Sequence, residues 1–162
     1  MITLEIINYS NSYDESIKDL LVELQEYIEE IDREKYNILT NEYRAKYFEK
    51  TMSEVSKYEG KIFLAIENEK VIGLIIGLIN NEEENTYDFK APKRGRVTEL
   101  VVSKECRSNG VGKQLLNKIE NYFKEVGCKG VLIDVFAYNE NAQKFYYKNG
   151  YFNRNIEVMK KI

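Results

Sequence analysis

Residues 95–112 read GRVTELVVSKECRSNGVG, and the way this stretch divides decides how the chain must fold. Gly95 to Ser103, rich in β-branched residues, reads as a strand. Arg107-Ser108-Asn109-Gly110-Val111-Gly112 then opens a helix over Gly110 to Val126, with Val111, Leu115, Ile119, Tyr122, Phe123 and Val126 on one side. Gly127 stops that helix, and Val131 to Ala137 is a second strand. A strand, a crossover helix and a strand imply one parallel pair. Glycines at a strand-to-helix turn let backbone N–H groups face outward with no Cβ in the way, so an anion fits at the helix N-terminus. A hydrogen bond to a charged group contributes roughly 1.5–3 kcal/mol, and the helix dipole adds about 0.3–1 kcal/mol. Several such amides hold a pyrophosphate without a basic cluster.

Two familiar phosphate loops fail on the residues. A P-loop needs glycine at position 107 and Ser or Thr at 114, where the chain has Arg107 and Gln114; a dinucleotide fingerprint needs Gly or Ala at Leu115. On its own, the glycine pair reads equally well as a structural turn.

Upstream, Lys61 to Glu67 and Val71 to Asn80 are β-rich runs around Asn68-Glu69-Lys70, the punctuation of a hairpin. The second run is apolar on both faces and belongs in the middle of a sheet. Residues 81–95 are polar, carry the only proline, Pro92, and read as a loop. Residues 2–9 read as a first strand, and Ser12-x-x-Glu15 as a capping box opening a helix whose Ile17, Leu20, Leu21, Leu24, Tyr27, Ile28 and Ile31 share a face. A weaker repeat predicts a second helix from Asn41 to Tyr58. Downstream, Asn141 to Lys148 is a short helix and Tyr151 to Met159 a final strand. The element order predicts an α/β fold with a mixed sheet.

The 162 residues, 43% of them hydrophobic, suit one domain spanning 1–162. Lys plus Arg number 24 against 27 Asp plus Glu, so the net charge of -3 gives no strong field and argues against nucleic acid as a partner. The longest apolar run, Val71 to Ile79, is too short for a bilayer, and no basic segment precedes an apolar stretch at the N-terminus. The chain reads as soluble and cytoplasmic, with no membrane partner. Cys106 and Cys128 form no C-x-x-C pair. With no histidine, any Ser-His-Asp or Cys-His relay is excluded and the commonest transition-metal ligand is missing; no metal is expected.

Arg107-x-x-Gly110-x-Gly112, preceded by Glu99-Leu100-Val101-Val102, resembles the acetyl-CoA signature of the GCN5-related N-acetyltransferase (GNAT) superfamily. Asn139-x-x-Ala142-x-x-x-Tyr146-x-x-x-Gly150-Tyr151 resembles a second segment of that family, with Tyr151 where Phe is common and Cys106 where an aromatic residue is frequent. The resemblance implies the acyl-CoA N-acyltransferase fold, a mixed, splayed, mostly antiparallel sheet flanked by helices. It further implies that acetyl-CoA lies between the strand ending at Val102 and the strand 131–137. Leu100, Val101 and Val102 would pair with pantetheine; Arg107, Ser108, Asn109, Gly110, Val111, Gly112 and Lys113 would hold the pyrophosphate; Asn139, Ala142 and Tyr146 would line the arm.

The implied reaction moves acetyl from acetyl-CoA to a primary amine by direct attack. A small-molecule amine is the leading acceptor; a protein N-terminus or lysine, a catalytically silent acyl-CoA-binding domain, and an interaction module with fortuitous glycines are the alternatives. A homodimer is compatible with this reading. An amine attacks only when neutral, so an acceptor with a pKa near 10.4 needs a base. Glu99, a carboxylate in an apolar strand, is the candidate, unless it only pairs with Arg96 or Lys93; Asp134 and a water chain are the alternatives. The family motif places Tyr146 beside the sulfur as general acid, with Tyr147 pointing about 100° away. Cys106 as an acylated nucleophile is disfavoured because no histidine activates it. Tyr27, Tyr36, Tyr43 and Tyr47 read as core or rim, with an acceptor pocket as the alternative. Glu23, Glu26, Glu29, Glu30, Asp32 and Glu34 would favour a cationic acceptor if they form its mouth.

Overall fold

A computed structural model describes residues 3–80 and 85–162. The elements in chain order are β1 (Leu4–Asn8), α1 (Asp14–Ile31), α2 (Tyr43–Lys57), β2 (Lys61–Glu67), β3 (Lys70–Asn80), β4 (Arg94–Val102), α3 (Val111–Glu125), β5 (Val131–Ile133) and α4 (Glu140–Lys148). Among the described residues the strands form one sheet in sequence order, β1-β2-β3-β4-β5. Neighbours pair antiparallel as far as β4, and β4 with β5 is the parallel pair that the crossover helix demands.

β3 is the spine, because every residue from Val71 to Ile79 is buried. One face of the sheet, with Phe63, Ile72, Ile75 and Val97, packs on Leu115, Leu116, Ile119 and Phe123 of α3. The other face, with Ile62, Leu64, Leu74 and Ile76, packs on Ile17, Leu20 and Leu21 of α1 and Phe48 of α2. Strand alternation produces most of this division, since neighbouring residues point to opposite faces, and a register shift between Ala65 and Ile66, where β3 carries Ile72 as an extra residue, puts Ile72 on the α3 side with Ile75. The tight hairpin between β2 and β3 places Asn68 and Glu69 at positive φ, 49° and 63°, the geometry of a two-residue turn whose twist matches the strands.

Two irregularities shape the site. β4 carries one residue more than β3 between the pairs Gly77↔Val97 and Ile76↔Glu99, so Thr98 is bulged. β4 and β5 then pair only through Gly95↔Val131, Arg96↔Leu132 and Val97↔Ile133. β4 runs on to Val102 without β5 beside it, which is the expected splay. The strand read over Val131 to Ala137 therefore ends at Ile133, because the backbone beyond it has no ladder to join.

Three other expectations change. The Ser12-x-x-Glu15 box does not cap α1: Ser12 lies in the turn Asn11–Tyr13 with its hydroxyl against that of Ser10 at 2.6 Å, and Tyr13 is the N-cap without a side-chain hydrogen bond. Asp14 and Glu15 in the first turn favour the helix through its dipole instead. The final strand over Tyr151 to Met159 is absent: this segment pairs with no strand, and Phe152, Ile156, Val158 and Met159 are exposed. Its alternating pattern is a strand signal, but the segment joins neither open edge of the sheet, β1 or β5. Residues 81–84 of the expected loop lie outside the described residues, and β4 starts one residue early, at Arg94.

Candidate active site

Glu99 and Tyr146 reach the split between β4 and β5 from opposite faces of the sheet. In a regular strand Val97 and Glu99 would share a face. The Thr98 bulge changes that: Val97 packs in the α3-side core, whereas Glu99 points at α2, where the Tyr47 hydroxyl donates a hydrogen bond to its Oε1. Burial pushes the Glu99 carboxyl up to about 7; Tyr47's hydrogen bond and the Lys50 charge oppose that rise, and Glu54 adds to it. Neither expected cation is its partner. Arg96 Nη1 binds Asp134 Oδ2 at 2.6 Å and Lys93 Nζ binds the Val126 carbonyl at 2.9 Å.

Asp134 itself is 92% exposed in that ion pair, just past the end of β5. As the alternative base, Asp134 stands solvated at the splay, because the strand that would have buried it has already ended.

α4 places Tyr146 inside and Tyr147 outside. Tyr146 is 9% exposed, edge-on to Phe145 and Tyr151, while Tyr147 is 46% exposed and donates to Asn153. Burial, and then the charge of Glu99, push the Tyr146 phenol up to about 12. That response to Glu99 links two residues 47 positions apart.

Backbone geometry shapes the loop before α3. Ser108 and Gly110 lie at φ 69° and 77°, so the chain turns left-handed twice within three residues, and Gly110 caps the helix with no side-chain hydrogen bond. The first amides of α3, at Val111, Gly112 and Lys113, therefore have no side-chain cap. A Cβ on Gly112 would meet the Phe145 ring at 3.6 Å and the Val102 side chain at 3.8 Å, both ordinary distances. Packing within the chain thus does not demand glycine there. Arg107 folds back, its Nε donating to the Val102 carbonyl at 3.0 Å. Leu100 and Val102 lie against the α3-side core, and Val101 in the core beneath α1 and α2. Asn139 caps α4, its Oδ1 accepting from the Ala142 amide at 3.1 Å. Cys106 is half-buried against the α3-side core and unpaired. No metal-binding cluster occurs among the described residues.

α1 spans the mouth of the split, and the residues that tie it there are found only in the structure. Glu23 Oε1 accepts from the Lys104 amide at 2.8 Å and lies 3.5 Å from Arg107, while Tyr27, one turn later, approaches Asn139 at 3.5 Å. Four of the six acidic residues expected to line an acceptor mouth are engaged within the fold. Glu23 holds the loop, Glu29 accepts from Leu39, Glu34 from Tyr138, and Asp32 from Glu34, Tyr36 and Asn37. The Asn37 backbone bond leads those that hold the Asp32 carboxyl down at about 2. The four singled-out tyrosines separate similarly: Tyr36 is exposed, Tyr27 bridges, and Tyr43 stacks on Tyr47 with centroids 4.7 Å apart.

A family model described as the acetyltransferase (GNAT) family matches residues 22–151. The chain belongs to the GNAT family. A Methanocaldococcus jannaschii protein described as an uncharacterized N-acetyltransferase is 31% identical over 102 residues, 62% of this chain and 58% of its own length, so the match spans under two thirds of that relative. Among solved structures, a mutant protein from Bacillus halodurans superposes with TM-score 0.85 at 16% identity, over 98% of this chain and 99% of its own. An aminoglycoside N-acetyltransferase solved in complex with CoA gives 0.74 at 15% identity, covering 100% of this chain and 96% of that one. At such identities the two structures speak for the GNAT fold. No helix among the described residues of this GNAT chain is long and apolar enough to cross a membrane.

Proposed function

We propose that this chain is a single-domain N-acetyltransferase that moves an acetyl group from acetyl-CoA to a primary amine, a small molecule, by direct attack. The observation that carries the reading is the split itself, where β5 leaves β4 beyond Val97, with the half-buried carboxyl of Glu99 near enough for its charge to bear on the buried phenol of Tyr146.

The residues present fit acetyl-CoA. Beyond Val97 the β5-facing edge of β4 has no strand beside it, the first α3 amides lack a side-chain cap, and a Cβ at Gly110 would meet nothing within 4 Å. Leu100 to Val102 would hold the pantetheine arm through that edge, Arg107 to Lys113 the pyrophosphate, and Asn139 and Ala142 the far side of the arm. That an aminoglycoside N-acetyltransferase of the same fold was solved in complex with CoA supports CoA as the co-substrate. When bound, the group supplies a thioester carbonyl and a thiol leaving group.

Glu99 takes a proton from the acceptor nitrogen, so that the neutral amine attacks as the N–C bond forms and the C–S bond breaks. Starting from an ammonium, two protons leave nitrogen: one passes through Glu99 to solvent, and the other balances the proton that the departing sulfur gains. Tyr146, protonated at every working pH, would stand beside that sulfur, as the family motif implies. A phenol at about 12 gives up its proton to a thiolate of ordinary pKa, about 8.5, only uphill. Its contribution is therefore hydrogen-bond donation to the negative charge as it develops. The unpaired thiols of Cys106 and Cys128 suit a reducing, cytoplasmic setting.

The test is thiol release from acetyl-CoA across a panel of small amines, aminosugars, polyamines and peptides with free N-termini or lysines. Amine-dependent release with a small amine supports the reading. Peptide-only turnover would move the acceptor to protein, and acetyl-CoA binding without turnover on any amine would leave a silent binding domain.

A further inference from the structure

The group that faces Glu99 most directly comes from α2. α2 sets Tyr43 and Tyr47 one turn apart with rings nearly parallel, 13° between planes, and Lys50 Nζ lies 5.5 Å from the Tyr47 ring centroid. Phe48 and Thr51, buried on the same helix, fix its rotation against the sheet. Tyr47 is thus clamped by its stack and delivered to one oxygen of Glu99. The bulge at Thr98 supplies the other half of this geometry by turning Glu99 toward α2.

We propose that Tyr47 is a positioning residue for acetyl transfer: its hydroxyl holds one Glu99 oxygen and favours the ionised carboxylate, leaving the other oxygen for the acceptor amine. This rests on the reading of Glu99 as base. Burial and the Glu99 charge push the Tyr47 phenol well above its usual range, so it remains a donor wherever the enzyme works. The groups that bear on Glu99 are Tyr43, Tyr47, Lys50 and Glu54 from α2 and Tyr146 from α4. Lys50 also favours the ionised form, but it acts by charge alone and lies 3.9 Å from Glu54, which opposes it. Tyr47 is the group that hydrogen-bonds the carboxylate.

The experiment measures kcat/KM against pH, with an amine accepted in the panel, for the wild type, Tyr47→Phe, Tyr43→Phe and Glu99→Gln. In Tyr47→Phe the lost hydrogen bond should move the acid limb alkaline by about one unit, a slowing of about tenfold at pH well below the limb, with the alkaline plateau and the KM for acetyl-CoA close to wild type. Tyr43→Phe should leave the limb where it is. Difluorotyrosine at position 47 keeps the ring and strengthens the donor, and should move the limb the other way, which covers a Tyr47→Phe protein that folds poorly. A limb lost in Glu99→Gln but unmoved by both changes at position 47 overturns the role of Tyr47 and leaves Glu99 as base. A limb that persists in Glu99→Gln overturns the base itself, and the proposal with it.

Discussion

Val97 and Glu99 stand two positions apart in one strand yet face opposite sides of the sheet, Val97 toward α3 and Glu99 toward Tyr47. The extra residue Thr98 separates them. Without it Glu99 would enter the α3-side core, where an acid finds only aliphatic and aromatic neighbours.

Glu99→Gln tests this placement in two ways. As a base, Glu99 must be ionised, so wild-type kcat/KM should rise with pH to a plateau above about 7, and the variant should lose that limb with a drop of about 10²-fold or more. Stability carries the opposite sign. A carboxyl raised from 4.5 to about 7 binds more protons folded than unfolded between those values, so its contribution is fully present below 4.5 and fades as pH rises through 7. At pH 8 the ionised buried group costs up to about 3 kcal/mol, so Glu99→Gln should then melt above the wild type. Urea unfolding at pH 5 and pH 8 checks it, and equal differences at both pH values would count against a raised carboxyl.

Gly112→Asp should fold normally, because its Cβ would lie 3.6 Å from the Phe145 ring, an ordinary contact. Its carboxylate would stand at the helix N-terminus where the pyrophosphate is proposed to sit. Acetyl-CoA affinity by calorimetry should fall at least tenfold, about 1.4 kcal/mol. Unchanged affinity in the folded variant would remove the loop from the binding site.

Tyr146→Phe should lower kcat by about 10²-fold while acetyl-CoA affinity hardly changes, since the ring and its packing stay. Tyr147→Phe, on the solvent side of α4, is the control and should stay within about twofold. Near-normal kcat in Tyr146→Phe, measured where chemistry limits turnover, would show that the sulfur departs without this donor.

Gly95→Ala addresses the fold. The Phe123 ring lies so close over β4 that a Cβ on Gly95 would come within 2.4 Å of it. Overpacking of this kind costs typically 1–3 kcal/mol, so the melting temperature should fall by several degrees. A thermal melt matching the wild type would mean that Phe123 moves aside freely.

The strand, glycine loop and helix of residues 95–126 were legible in the sequence because each signal there is local: β-branched alternation, left-handed turn residues, and an apolar stripe at helical spacing. The same holds for the hairpin around Asn68-Glu69 and for α1, which needs only its own periodicity. Local signals also misled. Ile156 and Val158 alternate as a strand should, and Val135 and Ala137 prolong one, but a strand requires a neighbour's hydrogen bonds and both segments lack it.

By itself the sequence determined the candidate inventory: no histidine, one apolar strand bearing Glu99, two glycines opening α3, and Tyr146 on a short helix. Only tertiary structure decided which groups meet. It committed Arg96 to Asp134, engaged four of the α1-end acids inside the fold, and brought Tyr47 across 52 positions to Glu99. The physical reason is that a hydrogen bond or an ion pair depends on distance and direction in space. A one-residue bulge and a strand that ends early change both while leaving composition and periodicity almost untouched.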